Sequence, residues 1–196
     1  MVDNRKEIVR KIAKIFCPMS KTGISALAEV LVPIKCNKND IVLKEGDVCR
    51  YLYFVDQGMV RQFYYKNGRE VTEHFSYEGR FVFCIESFLT QKPSRILIEA
   101  LEPTKLYGIS YEDLQSLITK DPEVDRLYHR LLEHVAISGQ QHADSQRFET
   151  ASERYDRLLH EKPEIVLRAP MLYIASYLQM TPETLSRVRK SQDFPE

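Results

Sequence analysis

Apolar residues at the amino end recur at helical spacing. Ile8, Ile12 and Ile15 share one side of a helix expected over residues 3–16, and a second helix is expected from Lys21 to Leu31. From Val32 the period falls to two. Val32, Ile34 and Cys36 alternate with polar or turn residues, and short apolar runs follow at Ile41–Leu43, Leu52–Val55, Val60–Tyr65, Ile96–Leu101 and Lys105–Ile109, all expected as strands. Glycine-bearing turns at Glu45-Gly46-Asp47, Gln57-Gly58, Asn67-Gly68 and Glu78-Gly79 punctuate them about every ten residues. Asn67-Gly68 is the sharpest of these signals, because a two-residue hairpin of this type needs φ > 0 at both positions. The pattern predicts a compact β-roll or sandwich, without internal repeats.

After Tyr111 the period returns to helical. Glu112–Ile118 predicts a short helix, and Asp121 as N-cap with Pro122 at the first position opens a long one. Val124, Tyr128, Leu131, Val135 and Ser138 line one stripe of it, which predicts pairing with a second copy of the chain along this helix. The alternative is that the stripe packs on the chain's own β-roll. Thr150-Ala151-Ser152-Glu153 has the form of a capping box and marks a domain boundary near residue 149. Pro163 is expected to end the helix that begins there, and Pro170 to open the next.

The stretch Met171–Lys190 predicts two short helices across a tight turn. Ile174, Ala175 and Leu178 share a face of the first, and Leu185 and Val188 a face of the second. Thr181 is a good N-cap, Pro182 fits the first helical position and Glu183 suits the positive helix start. Gln179 stands where glycine often supplies φ > 0, so backbone strain is expected there. The outward residues, Thr181, Glu183, Thr184, Ser186, Arg187, Arg189 and Lys190, can reach base edges and phosphates in a major groove. This is a helix-turn-helix pattern; the plainer alternative is an ordinary helical hairpin.

Composition adds bounds rather than detail. A chain of 196 residues with 43% hydrophobic content has enough apolar side chains for real cores. No apolar run is long enough for a membrane span, the charged amino end lacks a signal-peptide core, and a cytoplasmic location without membrane contact is expected. Lys and Arg balance Asp and Glu at 28 each, so any affinity for nucleic acid must come from local clustering, as at Arg187, Arg189 and Lys190. Cys17, Cys36, Cys49 and Cys84 have no C-x-x-C spacing and are expected as free thiols. His134 and His142, eight apart on the long helix, could share a face, but no metal site is expected. The G-x-S-x-G, H-E-x-x-H and P-loop patterns do not occur, so no enzymatic activity is expected.

The glycine-punctuated roll, long helix and terminal helix pair, in that order, resemble the Crp/Fnr family of bacterial transcription regulators across nearly the whole chain. The likeness to members from Bacteroidetes-type bacteria runs through E-S-F-L-T-Q-K-P-S at 86–94, I-E-A-L-E at 98–102, E-R-Y-D-R-L-L at 153–159 and I-A-S-Y-L-Q-M-T-P-E-T-L-S-R-V-R-K at 174–190. The resemblance implies an α+β chain: an N-terminal double-stranded β-helix (jelly-roll) sensor domain over 1–120 with its preceding helices, a dimerisation helix over 121–149 and a helix-turn-helix domain over 150–196. It implies that Glu183 and Arg187 read base pairs while Thr181 and Ser186 lie near the DNA backbone. Pro182 stands where some members carry another arginine. With Glu196 six residues beyond Lys190, the β-hairpin wing common in the family is expected to be missing or displaced.

Family members often hold a cyclic nucleotide through a Gly-Glu pair and an Arg-Ser pair, the guanidinium clamping the phosphate. Alignment on Ser87-Phe88-Leu89 places Cys84 and Ile85 at the Gly-Glu positions, and Ser94-Arg95 presents the second pair reversed, where a slip of one residue would restore Arg95 as the phosphate clamp. The effector-pocket candidates are therefore Cys84, Ile85, Glu86, Ser87, Ser94 and Arg95. Usual cyclic AMP binding is not expected, because the ribose-binding carboxylate is lost. The alternative for Glu86, Ser87, Ser94 and Arg95 is a surface turn without a ligand. No cofactor is expected; neither haem nor an iron–sulfur cluster fits the cysteine pattern. The expected partners are double-stranded DNA, a second copy of the chain, RNA polymerase and a small-molecule effector of unknown identity. A competing assignment is a ligand-sensing regulatory module whose C-terminal helices bind a protein.

Overall fold

The computed structural model describes residues 4–193, with side chains described through Ser191. Residues beyond 193, on which the expectation of a missing wing falls, lie outside the described residues. The chain divides into two compact units, residues 1–60 with 76–136, and residues 61–75 with 137–196. In chain order the elements are α1 (Arg5–Ile15), α2 (Lys21–Val30), β1 (Val32–Cys36), β2 (Ile41–Leu43), β3 (Tyr51–Gln57), β4 (Met59–Lys66), β5 (Arg69–Tyr77), β6 (Phe81–Val82), α3 (Ile85–Thr90), β7 (Leu97–Ala100), β8 (Thr104–Ser110), α4 (Tyr111–Ile118), α5 (Pro122–Phe148), α6 (Ala151–Glu161), α7 (Pro163–Arg168), α8 (Met171–Tyr177) and α9 (Pro182–Asp193). One sheet has the order β1-β8-β3-β6 and the other β2-β7-β4-β5.

In the first unit, β8 is the central partner, pairing antiparallel with β1 from Val32 opposite Gly108 to Cys36 opposite Thr104, and with β3 from Tyr51 opposite Ser110. Turn chemistry sets the tight β3–β4 corner. Gly58 has φ +96°, and a Cβ there would stand 2.8 Å from the Pro103 carbonyl oxygen, so only glycine lets the backbones approach this closely. Its N–H donates to Glu78 Oε1 at 2.7 Å. The core gathers Ile8, Val9 and Ile12 of α1 and Leu27 of α2 with Leu52, Phe54 and Val55 of β3, Val60 of β4 and Leu106 and Ile109 of β8. Ser20 donates its N–H and hydroxyl to Glu123 Oε2 at 2.9 and 2.7 Å. These bonds hold the Glu123 carboxyl below its ordinary range.

The first half of α5 packs within this unit. Val124, Leu127 and Leu131 are buried in the core, with Tyr128 and Val135 packed against it. Val124 and Leu131 of the stripe expected to pair with a second copy thus pack on the chain's own β-roll, the alternative the sequence left open, while Tyr128, Val135 and Ser138 are half-buried.

In the second unit the β4–β5 hairpin turns at Asn67 and Gly68, with φ +52° and +72°, as a turn of this kind demands. Arg61 on this hairpin is almost fully buried. Its guanidinium lies 4.0 Å from the Phe63 ring centroid and 3.5 Å from that of Tyr173, and it pairs with Glu70 at 2.5 Å. Thr72 N–H donates to Ser176 Oγ at 2.9 Å, and Phe75 meets Tyr177 edge-to-face at 5.4 Å. The hairpin therefore seats α8. A helical cluster with Tyr155, Leu158, Ile165, Ile174, Ala175, Leu178 and Leu185 buried completes the unit. Thr150 and Glu153 form the reciprocal capping box at the start of α6. Pro163 does more than end α6: it occupies the first turn of α7, a short helix the periodicity missed.

Candidate nucleic-acid interface and sensor pocket

The two helices α8 and α9 meet across a turn with defined hydrogen bonds. Met180 N–H donates to Ala175 O at 3.0 Å and Gln179 N–H to Ser176 O at 3.1 Å, with Gln179 left-handed at φ +52°. This is a Schellman termination in which glutamine takes the place glycine usually fills. The last carbonyls of α8 find partners outside the helix: Gln146 Nε2 donates to Tyr177 O at 3.3 Å and Arg154 Nε to Leu178 O at 2.8 Å.

Helix α9 starts on Thr181, whose hydroxyl accepts from Thr184 N–H at 3.2 Å. Leu185 is fully buried and Val188 half-buried, which turns the other face outward. Glu183, Arg187, Arg189 and Lys190 are exposed on it, with Thr184 and Ser186 half-buried between them. Arg187 donates to Thr184 Oγ1 at 3.3 Å, and Arg189 reaches Met171 Sδ at 3.2 Å. The helix-start N–H, the Thr181 hydroxyl and Arg187 hold the Glu183 carboxyl below its ordinary range, so it is an acceptor at neutral pH. All seven DNA-contact candidates thus lie on or beside one helix. Arginine and glutamate one turn apart form a set that can donate twice to guanine and accept from cytosine.

Beneath this pair, His142 of α5 stacks on Tyr177 at 4.9 Å and 16°. Burial, then Lys162 and Arg157, pushes its pKa below the ordinary value. Arg157 pairs with Glu149 at 2.9 Å and also donates to Ser145. The carboxyl of Glu149 is held low by Ser145 first and Arg157 after it. His134 instead meets Phe16 edge-on at 6.1 Å. No group of three metal-ligating side chains occurs among the described residues.

The sensor candidates divide. Cys84 is the N-cap residue of α3, a helix not expected from the sequence, and Ser87 is buried on it. Ser87 Oγ accepts from Cys49 N–H at 2.9 Å and donates to Lys92 O at 2.5 Å. Ser94 Oγ exchanges two bonds of 2.9 Å with the Ile96 backbone. Both serine hydroxyls are therefore engaged within the protein. Ile85, Glu86 and Arg95 are exposed and do not join Cys84 and Ser87 in the interior.

Sequence reasoning missed Cys49. The neighbouring Cys84 side chain, and the Cys84 N–H that Cys49 Sγ accepts at 3.4 Å, draw its pKa down against burial. Tyr53 nearby is pushed well up, chiefly by burial and then by the Cys49 sulfur. No local spacing signals this pairing, since the two cysteines stand 35 positions apart.

Residues 33–121 match the cyclic nucleotide-binding domain family. No curated protein matches the sequence significantly. Among solved structures, FixK2 from Bradyrhizobium japonicum is similar with a TM-score of 0.72 and 22% identity, covering 84% of this chain and 85% of that one. The c-di-GMP-responsive global regulator CLP of Xanthomonas campestris gives 0.69 and 19%, covering 89% and 92%. A protein of Eubacterium rectale described as a transcriptional regulator of the Crp/Fnr family gives 0.67 and 18%, covering 89% and 84%. The chain therefore shares the fold of these solved structures, with a cyclic-nucleotide-binding-like β-roll over residues 33–121 followed by C-terminal helices. No described helix is long and apolar enough to cross a membrane.

Proposed function

We propose that the protein is a homodimeric, DNA-binding transcription regulator that reads a pseudo-palindromic operator with α9, the second helix of a helix-turn-helix. The carrying observation is the outward face of α9, with a capped start, an ionised Glu183 and the exposed Arg187, Arg189 and Lys190. Two such faces related by a two-fold axis would address half-sites about 34–36 Å apart. RNA polymerase is the further partner such a regulator would need. The likeness to Bacteroidetes-type members rests on the sequence stretches quoted above alone.

Dimerisation falls to the side of α5 that the roll leaves open, where Ala136 is exposed and Ile137 is 58% exposed. Usual cyclic AMP recognition is disfavoured, since Ile85 replaces the ribose-binding carboxylate and the Ser87 and Ser94 hydroxyls already bond within the protein. The effector is then a different small molecule.

Selection from randomised duplexes, followed by gel shift, tests the DNA assignment. Arg187→Ala is expected to weaken binding to the selected duplex by about 1–3 kcal/mol and to relax specificity at one base pair. Unchanged binding would remove α9 from the reading role. The competing assignment, C-terminal helices that bind a protein, is favoured by Leu167 and Leu172, which are 82% and 62% exposed. Salt separates the two: DNA binding falls steeply with ionic strength through counterion release, and apolar docking does not.

A further inference from the structure

We propose that Cys49 and Cys84 form a dithiol that closes to an intramolecular disulfide, making the β-roll responsive to two-electron oxidants such as a peroxide. Three contacts converge on this pair. Ser87 Oγ fixes the Cys49 backbone at 2.9 Å, Cys84 N–H points at Cys49 Sγ from 3.4 Å, and Cys49 Sγ lies 3.5 Å from the Tyr51 carbonyl oxygen at the start of β3. The backbone of Cys84 already touches the Cys49 sulfur, so closure needs rotation of side chains rather than movement of strands. Cys17 and Cys36 lack such a partner thiol among the contacts described, and burial raises the pKa of both.

The chemistry balances with a peroxide as co-reactant. The Cys49 thiolate attacks one peroxide oxygen, the O–O bond breaks, and hydroxide leaves to give a sulfenic acid. The Cys84 sulfur then attacks Cys49 Sγ, forming the S–S bond and expelling water after proton transfer. Overall two thiols and hydrogen peroxide give one disulfide and two waters. Both sulfurs are nearly inaccessible, at 1% and 4% exposure, so oxidation proceeds through transient opening around the short helix α3. The bond ties the segment just before β3 to the N-cap of α3.

The test uses the full chain, reduced, exposed to hydrogen peroxide, alkylated under denaturing conditions and mapped by mass spectrometry without reductant. A Cys49–Cys84 cross-linked peptide is expected, reversed by dithiothreitol, while Cys17 and Cys36 remain alkylatable. In Cys84→Ser the oxidation is expected to stop at a trappable sulfenic acid on Cys49, and Cys36→Ser, which leaves the pair intact, should still cross-link. Cys49 and Cys84 fully alkylated after peroxide has modified Cys36 would overturn the proposal. So would intermolecular disulfides as the sole product.

Discussion

Single residues carry some of the sharpest expectations. Gln179 holds a left-handed conformation that costs a residue with a Cβ about 1–2 kcal/mol, at a position where a helix termination normally recruits glycine. Gln179→Gly is therefore expected to stabilise the protein by about 0.5–1 kcal/mol, read as a rise in the midpoint of urea unfolding. His142 makes stability depend on pH in a known direction. Its folded pKa lies below the unfolded value of about 6.5, so the unfolded chain binds the proton first. Its contribution is present above about pH 6.5 and is lost as pH falls through the folded pKa. Thermal melts between pH 7.5 and 5.5 should show stability falling with acid, and His142→Phe, which keeps an aromatic stack but does not titrate, should flatten that slope. The depressed carboxyls Glu123, Glu149 and Glu183 act in the same direction but only below about pH 4.3, outside this window.

At the level of elements, the β4–β5 hairpin is a working support for α8 rather than a bare sheet edge. Arg61 joins two aromatic rings and a carboxylate in almost complete burial, which an alanine could not replace without an empty space. Arg61→Ala is expected to cost about 2–4 kcal/mol in equilibrium unfolding, and Arg61→Lys less, since it keeps the charge but not the planar stacking surface. Local chemistry made most elements legible beforehand. The period of two marked the strands, Asn67-Gly68 the hairpin, and Thr150 with Glu153 the cap of α6. The helices α3 and α7 escaped because six residues are too few to show a helical period, and their order comes from the tertiary packing of Ser87, Phe88 and Ile165.

For the whole molecule, the burial along α5 decides which surface is left for a partner. Val124 and Leu131 are used internally, so the proposed pairing would fall to the opposite side, near Ala136 and Ile137. Ile137→Glu is expected to shift the protein from dimer to monomer in sedimentation velocity at micromolar concentration, without lowering the unfolding midpoint of the monomer. A variant that remains dimeric would move the interface away from this side of α5.

The sequence by itself determined the order of the longer elements, the main turns, the α6 and α9 caps and the residues on the outer face of α9, because each follows from the spacing or conformational preference of residues close together in the chain. Only the tertiary structure decided that the first half of the long stripe belongs to the β-roll, that the Ser87 and Ser94 hydroxyls are already engaged, and that Cys49 lies against Cys84. Those outcomes depend on which surfaces meet across tens of residues, and a periodic pattern states that a face is apolar without stating what covers it.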